Sequence, residues 1–526
     1  MDLNAIYGTE DFEERNENYR TVNSDMVVNA DVCIIGSGAA GSILAAKLSM
    51  AGKSVVLLEK GGYFEGEDMN QRDEDMLPLL WKNSGANFTD DLRIAIAQGS
   101  TLGGGTAIND AICIPIPAVV KRQWRDLGVD IQDEEWDKAT AEVSKDIHVT
   151  RIRDDELNLN NLMLKKGCTL MGFKEHYPND RNCMNCMHCG LCHLGCHYGS
   201  KQEMRVTYIH KALNDPKSKL RVFCNCLAEK ITGSEGAANG VEGHFLNRIG
   251  SAVHKIRVNA KIVIISAGSI ESTQILIKNS IAKNKAGKGL ALHPAPFVLG
   301  DFPFEIKANQ GIPISYTLHE FGVTNGVENG GFLIQGVYLP PLQFSMALPA
   351  TDGQSRDLIS RYNYFTMAGV ETRDDSNGII TLSDFGFPRV SYSFGEKELN
   401  IMSAGVSIIS KMWFRLGAKR VITSHMVKRE LKSESEIPEL VSAIKKDPKN
   451  LLVGSAHPQG GNRMGSDPDR CVVDSNCKVY GFRNLFVCDA SVFPTAVGVN
   501  PQMSVMALAS LISDRINKKW DDFVSE

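Results

Sequence analysis

Five of the chain's thirteen cysteines fall between positions 183 and 196. In the stretch NCMNCMHCGLCHLGC, the run Cys186-x2-Cys189-x2-Cys192-x3-Cys196 has the spacing of a bacterial ferredoxin segment, with His197 where a proline would follow. Cys183 stands one step further upstream. Thiolates spaced in this way gather around one face of a small turn, and three of them could hold three corners of an iron–sulfur cube. In two-cluster ferredoxins the fourth cysteine of the run serves the other cluster. Cys196, Cys183, or the separate Cys224 and Cys226 are therefore candidates for a fourth corner of a 4Fe-4S centre, and a 3Fe-4S centre needs none. Zinc competes: structural zinc sites use two thiolate pairs separated by a dozen or more residues. The pairs Cys183/Cys186 and Cys189/Cys192 are closer than that, but His188, His193 and His197 leave a mixed site open. A loop without metal is the third reading.

A second chemical signal is Gly36-Ser-Gly38-Ala-Ala-Gly41, with Glu59 at the end of the strand that follows. Glycines here permit a tight turn and close backbone approach, the helix N-terminus receives a pyrophosphate, and an acid accepts hydrogen bonds from ribose hydroxyls. An acid rather than a base at Glu59 disfavours a 2'-phosphate, which leaves NAD or FAD. Serial glycines at Gly99, Gly103 and Gly104 allow backbone N–H groups near a phosphate or ring, and Asn109 is placed to hydrogen-bond a polar ring edge.

These residues need elements to carry them. MVVNADVCIIG reads as a buried strand, AAGSILAAKLSMAG as a helix stopped by Gly52, and SVVLLEKGG as a second strand, giving a βαβ opening. Residues 117–178 read as mainly helical and lead into the cysteine loop. Strands follow from Leu220 through KIVIISAGS. From Pro296 to Leu452 the texture changes to short aromatic and β-branched runs broken by Gly, Pro and Asp, the pattern of a separate antiparallel sheet. The last seventy-odd residues return to strand–turn–helix. The expected class is α/β. A Rossmann-like dinucleotide domain occupies 26–294, with a helical and Cys-rich insertion at 117–205. It is interrupted by a substrate domain with a mainly antiparallel sheet at 295–451 and resumes at 452–526.

Bulk properties set limits. A net charge of -5 supplies no basic field, so nucleic acid is not an expected partner. The N-terminal residues lack the positive start and apolar stretch of a secretory signal, and no window is apolar enough for a membrane span. Cytoplasmic residence is expected, where close cysteines point to metal or redox chemistry rather than disulfides.

Four motifs in order carry a resemblance to a known family. GSTLGGGTAIND is similar to the G-x-x-x-G-G-x-S-x-x-N segment of the glucose-methanol-choline (GMC) oxidoreductases, with Thr106 for Ser. SAGSIESTQIL resembles their second signature, with Thr273 for the usual proline, and SAHPQGGNRMG and NLFVCDASVFPTAVGVNPQMS resemble their C-terminal catalytic region. The resemblance runs from about Asp31 to Ile516. It implies FAD rather than NAD, and oxidation of a CH–OH group in an alcohol, sugar or sterol-like substrate. It also implies His457 as the base, Asn500 as the anchor for the substrate oxygen, and Asp489 close to the flavin. A histidine has the right pKa range for the base, and an amide suits a developing oxyanion. Where some members attach flavin through histidine this chain has Ile108, so the FAD is expected to be non-covalent.

CGLCHLGCHYGSKQ resembles a loop of the long-chain alcohol oxidase branch, where such a run does not imply a cluster. Certain sugar dehydrogenases of the family do carry one. A cluster would make this a dehydrogenase passing single electrons to a protein or quinone acceptor. The alternatives are an oxygen-using oxidase with a zinc-bound or metal-free loop, and a non-catalytic flavin- or metal-binding scaffold.

Overall fold

The structure is a computed structural model and describes residues 16–18, 20–234, 236–328, 330–348 and 353–524. Its first sheet runs, in spatial order, through Asn16–Glu17, Lys219–Phe223, Ser54–Leu58, Met26–Ile35, Ala252–Ile265, Ala237–Leu246 and Cys226–Ser234. The first five of these pair in parallel and the last two antiparallel. Parallel strands covered by helices on both faces read as unbroken apolar runs, and Val32 to Ile35 and Val55 to Leu58 are buried without alternation. The strand Leu485–Val487 returns to this sheet beside Ala252–Ile265, and the helix Gln502–Lys518 packs on the helix Gly41–Met50. One domain is thus interrupted by another, as the sequence texture implies.

The interrupting layer is a seven-stranded, wholly antiparallel sheet. Its order is Glu430–Leu431, Arg420–Thr423, Phe297–Asp301, Phe365–Thr372, Phe332–Gln335, Tyr316–Leu318 and His176–Pro178. Successive residues of a strand point to opposite faces, and here the two faces have different work. Leu318, Ile334 and Val370 face a core shared with Met402, Val406, Ile409 and Trp413 of the helix Glu396–Arg415. Full burial of each such side chain contributes about 1.5–3 kcal/mol. Gly405 lets helix and sheet meet, because a Cβ there would lie 2.4 Å from Val370. The register puts Glu371, Gln335, Thr317 and Tyr177 on the other face, above the first domain.

The structural unit differs from the 295–451 segment in two respects. His176–Pro178 and the helix Leu159–Met171, from within 117–205, belong to the antiparallel layer, whose core takes Met163, Leu164 and Cys168. Conversely, Gly378–Leu382 and Pro388–Ser391 leave it for a four-stranded sheet with Lys288–Ala291 and Gln459–Gly461. Among the described residues no helix is long and apolar enough to cross a membrane.

Candidate active site

The two glycine segments, about sixty residues apart in sequence, meet. At Gly41 a Cβ would fall 1.9 Å from the Gly36 carbonyl oxygen, so only glycine closes the first turn. At Gly104, where φ is +56°, a Cβ would lie 2.8 Å from the Gly38 Cα, so the second segment lies directly on the first. Gly99 supports it from behind, packed on the backbone of Gly104 and Gly105. The Gly103 N–H donates to Ser37 Oγ at 3.1 Å, and that hydroxyl donates to Glu59 Oε2 at 2.6 Å. Glu59 also accepts from the Ser37 and Gly61 N–H groups. Three of its roughly four lone-pair sites are used, which leaves one for a hydroxyl donor. Positions Gly38 and Gly105 face open space, with nothing within 4 Å of a built Cβ. A backbone-lined cleft with a buried acid beside it fits a dinucleotide.

Asp489 is buried and accepts from the Gly268 N–H and Ser272 hydroxyl through Oδ2 and from the Ser491 N–H through Oδ1. It works here as a cap that holds the start of the helix Ser269–Lys278 against the Gly36 turn. Burial raises its pKa, and those hydrogen bonds act in the opposite direction. Asn109 turns its amide to Gln502, donating from Nδ2 to Oε1 at 2.8 Å, and accepts the Ala111 N–H. It therefore ties the second glycine segment to residues 500–502. Ile108 is buried in a small cluster with Met69, Met76, Leu80 and Leu194.

His457 and Asn500 come together beside this junction, with His457 Nε2 and Asn500 Nδ2 3.4 Å apart. Asn500 Oδ1 accepts from Gln335 Nε2 at 2.8 Å, so the antiparallel sheet orients the amide. On its other side His457 Nδ1 lies 3.3 Å from Glu371 Oε1 and 3.3 Å from His293 Nδ1. His457 is also anchored to the dinucleotide domain, since Ser269 Oγ donates to the carbonyl of the adjoining Pro458. The sequence reading missed Glu371, His293 and Gln335. They come from three separate segments, and an isolated His, Glu or Gln carries no motif.

All five predicted loop cysteines, Cys183, Cys186, Cys189, Cys192 and Cys196, line one small cavity. The loop closes at its neck where Cys183 bridges to Lys201. Arg181, which is 3% exposed, donates to the Cys186 and Cys192 sulfurs at 3.9 and 3.8 Å. Lys201, 1% exposed, donates to the carbonyls of Ala107, Asn109 and Cys192 at 2.8, 2.8 and 2.9 Å, pinning the loop to the second glycine segment. A hydrogen bond from the Cys183 thiol, reinforced by the Arg181 charge, pulls Cys186 down to about 5, while burial pushes Cys192 up to about 12. The alternative ligands Cys224 and Cys226 sit in the core of the first domain instead. The histidines also point elsewhere: His193 to Asp110, His197 to the Met69 carbonyl, and His188 toward Glu156. Arg181 and Lys201 flank the cysteines in sequence, and this pair of bases was an unread signal.

A tetrahedral zinc ion would hold its sulfurs about 3.8 Å apart. Among the described residues, the one group of three metal-competent atoms gathered within 4.8 Å is His293, Glu371 and His457. The loop sulfurs are spread more widely than a single ion requires. An iron–sulfur cube holds its cysteines at its corners and so takes a wider spacing.

A cavity of about 510 Å³ is lined by Ile114, Pro117 and Val323, by the rings of Tyr177 and His319, and by the charged Arg122, Arg151, Asp180 and Glu328. A Cβ on Gly498 would lie 2.9 Å from Val323, so this wall touches the segment that carries Asn500. Tyr177 shares its sheet face with Gln335 and Glu371, and His319 follows the end of the adjoining strand. Burial lowers the His319 pKa to about 4, so its ring is neutral near pH 7.

The chain resembles known proteins over nearly its whole length. It is 28% identical to a long-chain-alcohol oxidase of Arabidopsis thaliana over 93% of this chain and 68% of that protein. Among solved structures, pyridoxine 4-oxidase from Mesorbium loti superposes with a TM-score of 0.69 at 17% identity, over 93% of this chain and 99% of that one. Formate oxidase from Aspergillus oryzae superposes with a TM-score of 0.68 at 17% identity, over 95% and 100%. Family profiles described as GMC oxidoreductase match residues 30–295 and 374–509, the two stretches that hold both glycine turns, His457 and Asn500. By fold and by sequence, the chain belongs to the GMC oxidoreductase family.

Proposed function

We propose that this chain is an FAD-dependent dehydrogenase that oxidises the CH–OH carbon of an alcohol, sugar or sterol-like substrate to a carbonyl. Cys183, Cys186, Cys189, Cys192 and Cys196 would hold an iron–sulfur centre, which would supply one-electron transfer toward a protein or quinone acceptor. The observation that carries the reading is the 3.4 Å approach of His457 Nε2 to Asn500 Nδ2 beside a glycine-lined cleft. The Gly36, Gly38 and Gly41 turn, Glu59, and Gly99, Gly103 and Gly104 hold FAD non-covalently. FAD, when bound, supplies the acceptor for a hydride from the carbinol carbon. His457 Nε2 takes the hydroxyl proton as the C–O bond becomes C=O. The Asn500 amide, aimed by Gln335, donates to the oxygen as charge grows there. The remainder of the substrate extends toward the 510 Å³ cavity, where Ile114, Pro117 and Val323 offer apolar contact and Arg122, Arg151, Asp180 and Glu328 offer charged groups.

Charge balance supports the centre in the loop. Arg181 and Lys201 are both buried and donate to sulfurs and carbonyls, and the one buried carboxylate acting on Arg181, Asp110, is shared with His193. Two buried cations need more anionic charge than one shared carboxylate gives, and a thiolate-ligated cluster would supply it. Lys201 joins that loop to the backbone of Asn109, so the electron exit adjoins the flavin cleft.

An oxidase with a metal-free loop is the second reading, favoured by the alcohol oxidase and pyridoxine oxidase among the similar proteins. The test is protein purified without oxygen, assayed for flavin, iron, sulfide and zinc, then reduced with a series of alcohols and exposed to air. Iron and sulfide with slow reoxidation are expected. Flavin alone, with rapid reoxidation and peroxide release, would favour the oxidase. Failure of every alcohol to bleach the flavin, or bleaching that persists unchanged in His457→Ala, would favour a non-catalytic scaffold.

A further inference from the structure

His293 Nδ1, Glu371 Oε1 and His457 Nδ1 form a triangle with all three sides 3.3 Å. Two chemistries produce such a figure. A tetrahedral divalent ion with bonds near 2.0–2.1 Å would set three ligand atoms about 3.3–3.4 Å apart, and two histidines with a glutamate form a known zinc ligand set. Alternatively, the three groups share protons and no ion enters.

The tautomer of His293 decides between them. Its Nε2 receives the backbone N–H of Gly498 at 3.0 Å, and that group can only donate. The Gln459 amide also faces Nε2 at 3.1 Å. Its orientation is fixed because its Oε1 accepts the Val497 N–H at 2.9 Å, so the NH2 end points at the ring. Nε2 is therefore an acceptor, and the ring proton sits on Nδ1, inside the triangle. An ion bound at Nδ1 would have to drive that proton to Nε2, against two donors. The geometry of the donors rules the ion out.

We infer that Glu371 and His293 are positioning residues that hold His457 in its Nδ1–H tautomer, leaving Nε2 bare toward Asn500 and the carbinol. His293 Nδ1 approaches Glu371 Oε1 at 3.3 Å from one side, and His457 Nδ1 approaches the same oxygen at 3.3 Å from the other. No hydrogen bond from any other group satisfies this buried oxygen, so the two ring N–H groups are the donors that face it. The carboxylate stays ionised: burial raises its pKa, but the two imidazoles outweigh that and hold it at about 2. An anion held at Nδ1 stabilises the imidazolium that forms when Nε2 takes the substrate proton, and it prevents the ring from presenting an N–H to the substrate. The other titratable ring within electrostatic reach of Glu371 is His319, which is neutral near pH 7. Glu371 rides on the antiparallel sheet and His457 on the dinucleotide domain, so the base is correctly aimed only when the two layers are seated together.

The inference rests on the hydride-transfer reading for its consequence, but the tautomer itself can be read without turnover. Holoenzyme with ring-15N-labelled histidine reports which nitrogen of His457 bears the proton, assigned by comparison with His457→Ala. The expected result is Nδ1–H in the wild type and loss of that preference in Glu371→Gln. A wild-type His457 protonated on Nε2 would overturn the clamp whether or not any alcohol is oxidised. In turnover, Glu371→Gln should lower kcat on the order of 10³-fold with KM and flavin content little changed, following the size of such effects in catalytic triads. Glu371→Asp should restore part of the rate. Unchanged kcat in Glu371→Gln would refute the inference. So would stoichiometric zinc uptake by the wild type that disappears in Glu371→Gln.

Discussion

Replacing Lys201 by Met tests whether the cysteine loop and the flavin cleft are one mechanical unit. The ammonium is 1% exposed and donates to three carbonyls, those of Ala107, Asn109 and Cys192, at 2.8–2.9 Å. Methionine keeps most of the apolar stem but donates nothing. Each buried acceptor stripped of its partner costs about 1–3 kcal/mol, so the three together cost roughly 3–9 kcal/mol, the lower end applying if water enters. That is comparable with the whole stability of a typical domain. Because the bonds join the loop to the backbone beside Asn109, the loss should appear at the cleft. The assay follows flavin release by fluorescence during a thermal ramp, with limited proteolysis of the 183–201 loop alongside it. At about 2 °C per kcal/mol for a chain of this size, release should begin about 6 °C earlier at the lower end of that range and up to about 18 °C earlier at the upper, with faster cleavage in the loop. Lys201→Arg should recover little, because a planar fork cannot reach three carbonyls arranged around a point charge. Release within 1 °C of wild type with an unchanged proteolysis pattern would refute the coupling.

Asn500→Ala should lower kcat on the order of 10²- to 10³-fold while leaving flavin content intact, measured by anaerobic stopped-flow reduction. Cys186→Ser and Cys192→Ser should each lower iron and sulfide content while flavin per chain stays constant, as read by metal analysis and absorbance. His319 imposes a pH dependence on stability. Its folded pKa of about 4 lies below the ordinary histidine value, so the unfolded chain binds the extra proton between about pH 6.5 and 4. Stability should therefore fall as pH falls through that window, by up to about 3 kcal/mol, and denaturation of His319→Asn should show that much less acid sensitivity.

What could be read from the sequence follows from how local each constraint is. Gly36, Gly38 and Gly41 are legible because steric closure of one turn is a property of six adjacent residues. Their contact with Gly104 is not, since nothing in either turn announces the other. His457 and Asn500 are visible only through their motifs, and the Glu371–His293 clamp is invisible because its members approach from separate strands and loops. The helix Glu396–Arg415 hides in a stretch read for its β-branched residues. The buried spacing of Met402, Val406, Ile409 and Trp413, at intervals of four, three and four, was the helical signal within it. His176–Pro178 joins the antiparallel sheet from far upstream because the edge strand Tyr316–Leu318 leaves its backbone groups open, a demand set by the partner rather than by the segment itself.

The antiparallel sheet separates two kinds of evolutionary freedom along a single strand. Residues turned toward the helix Glu396–Arg415 are constrained by close packing, whereas on the opposite face Tyr177 lines the cavity and Gln335, bonded to Thr317, holds the Asn500 amide. Substitutions at every second position can therefore reshape what the enzyme accepts while the scaffold beneath keeps its stability. Randomising that downward-facing set is the natural starting point for redirecting the protein to new compounds.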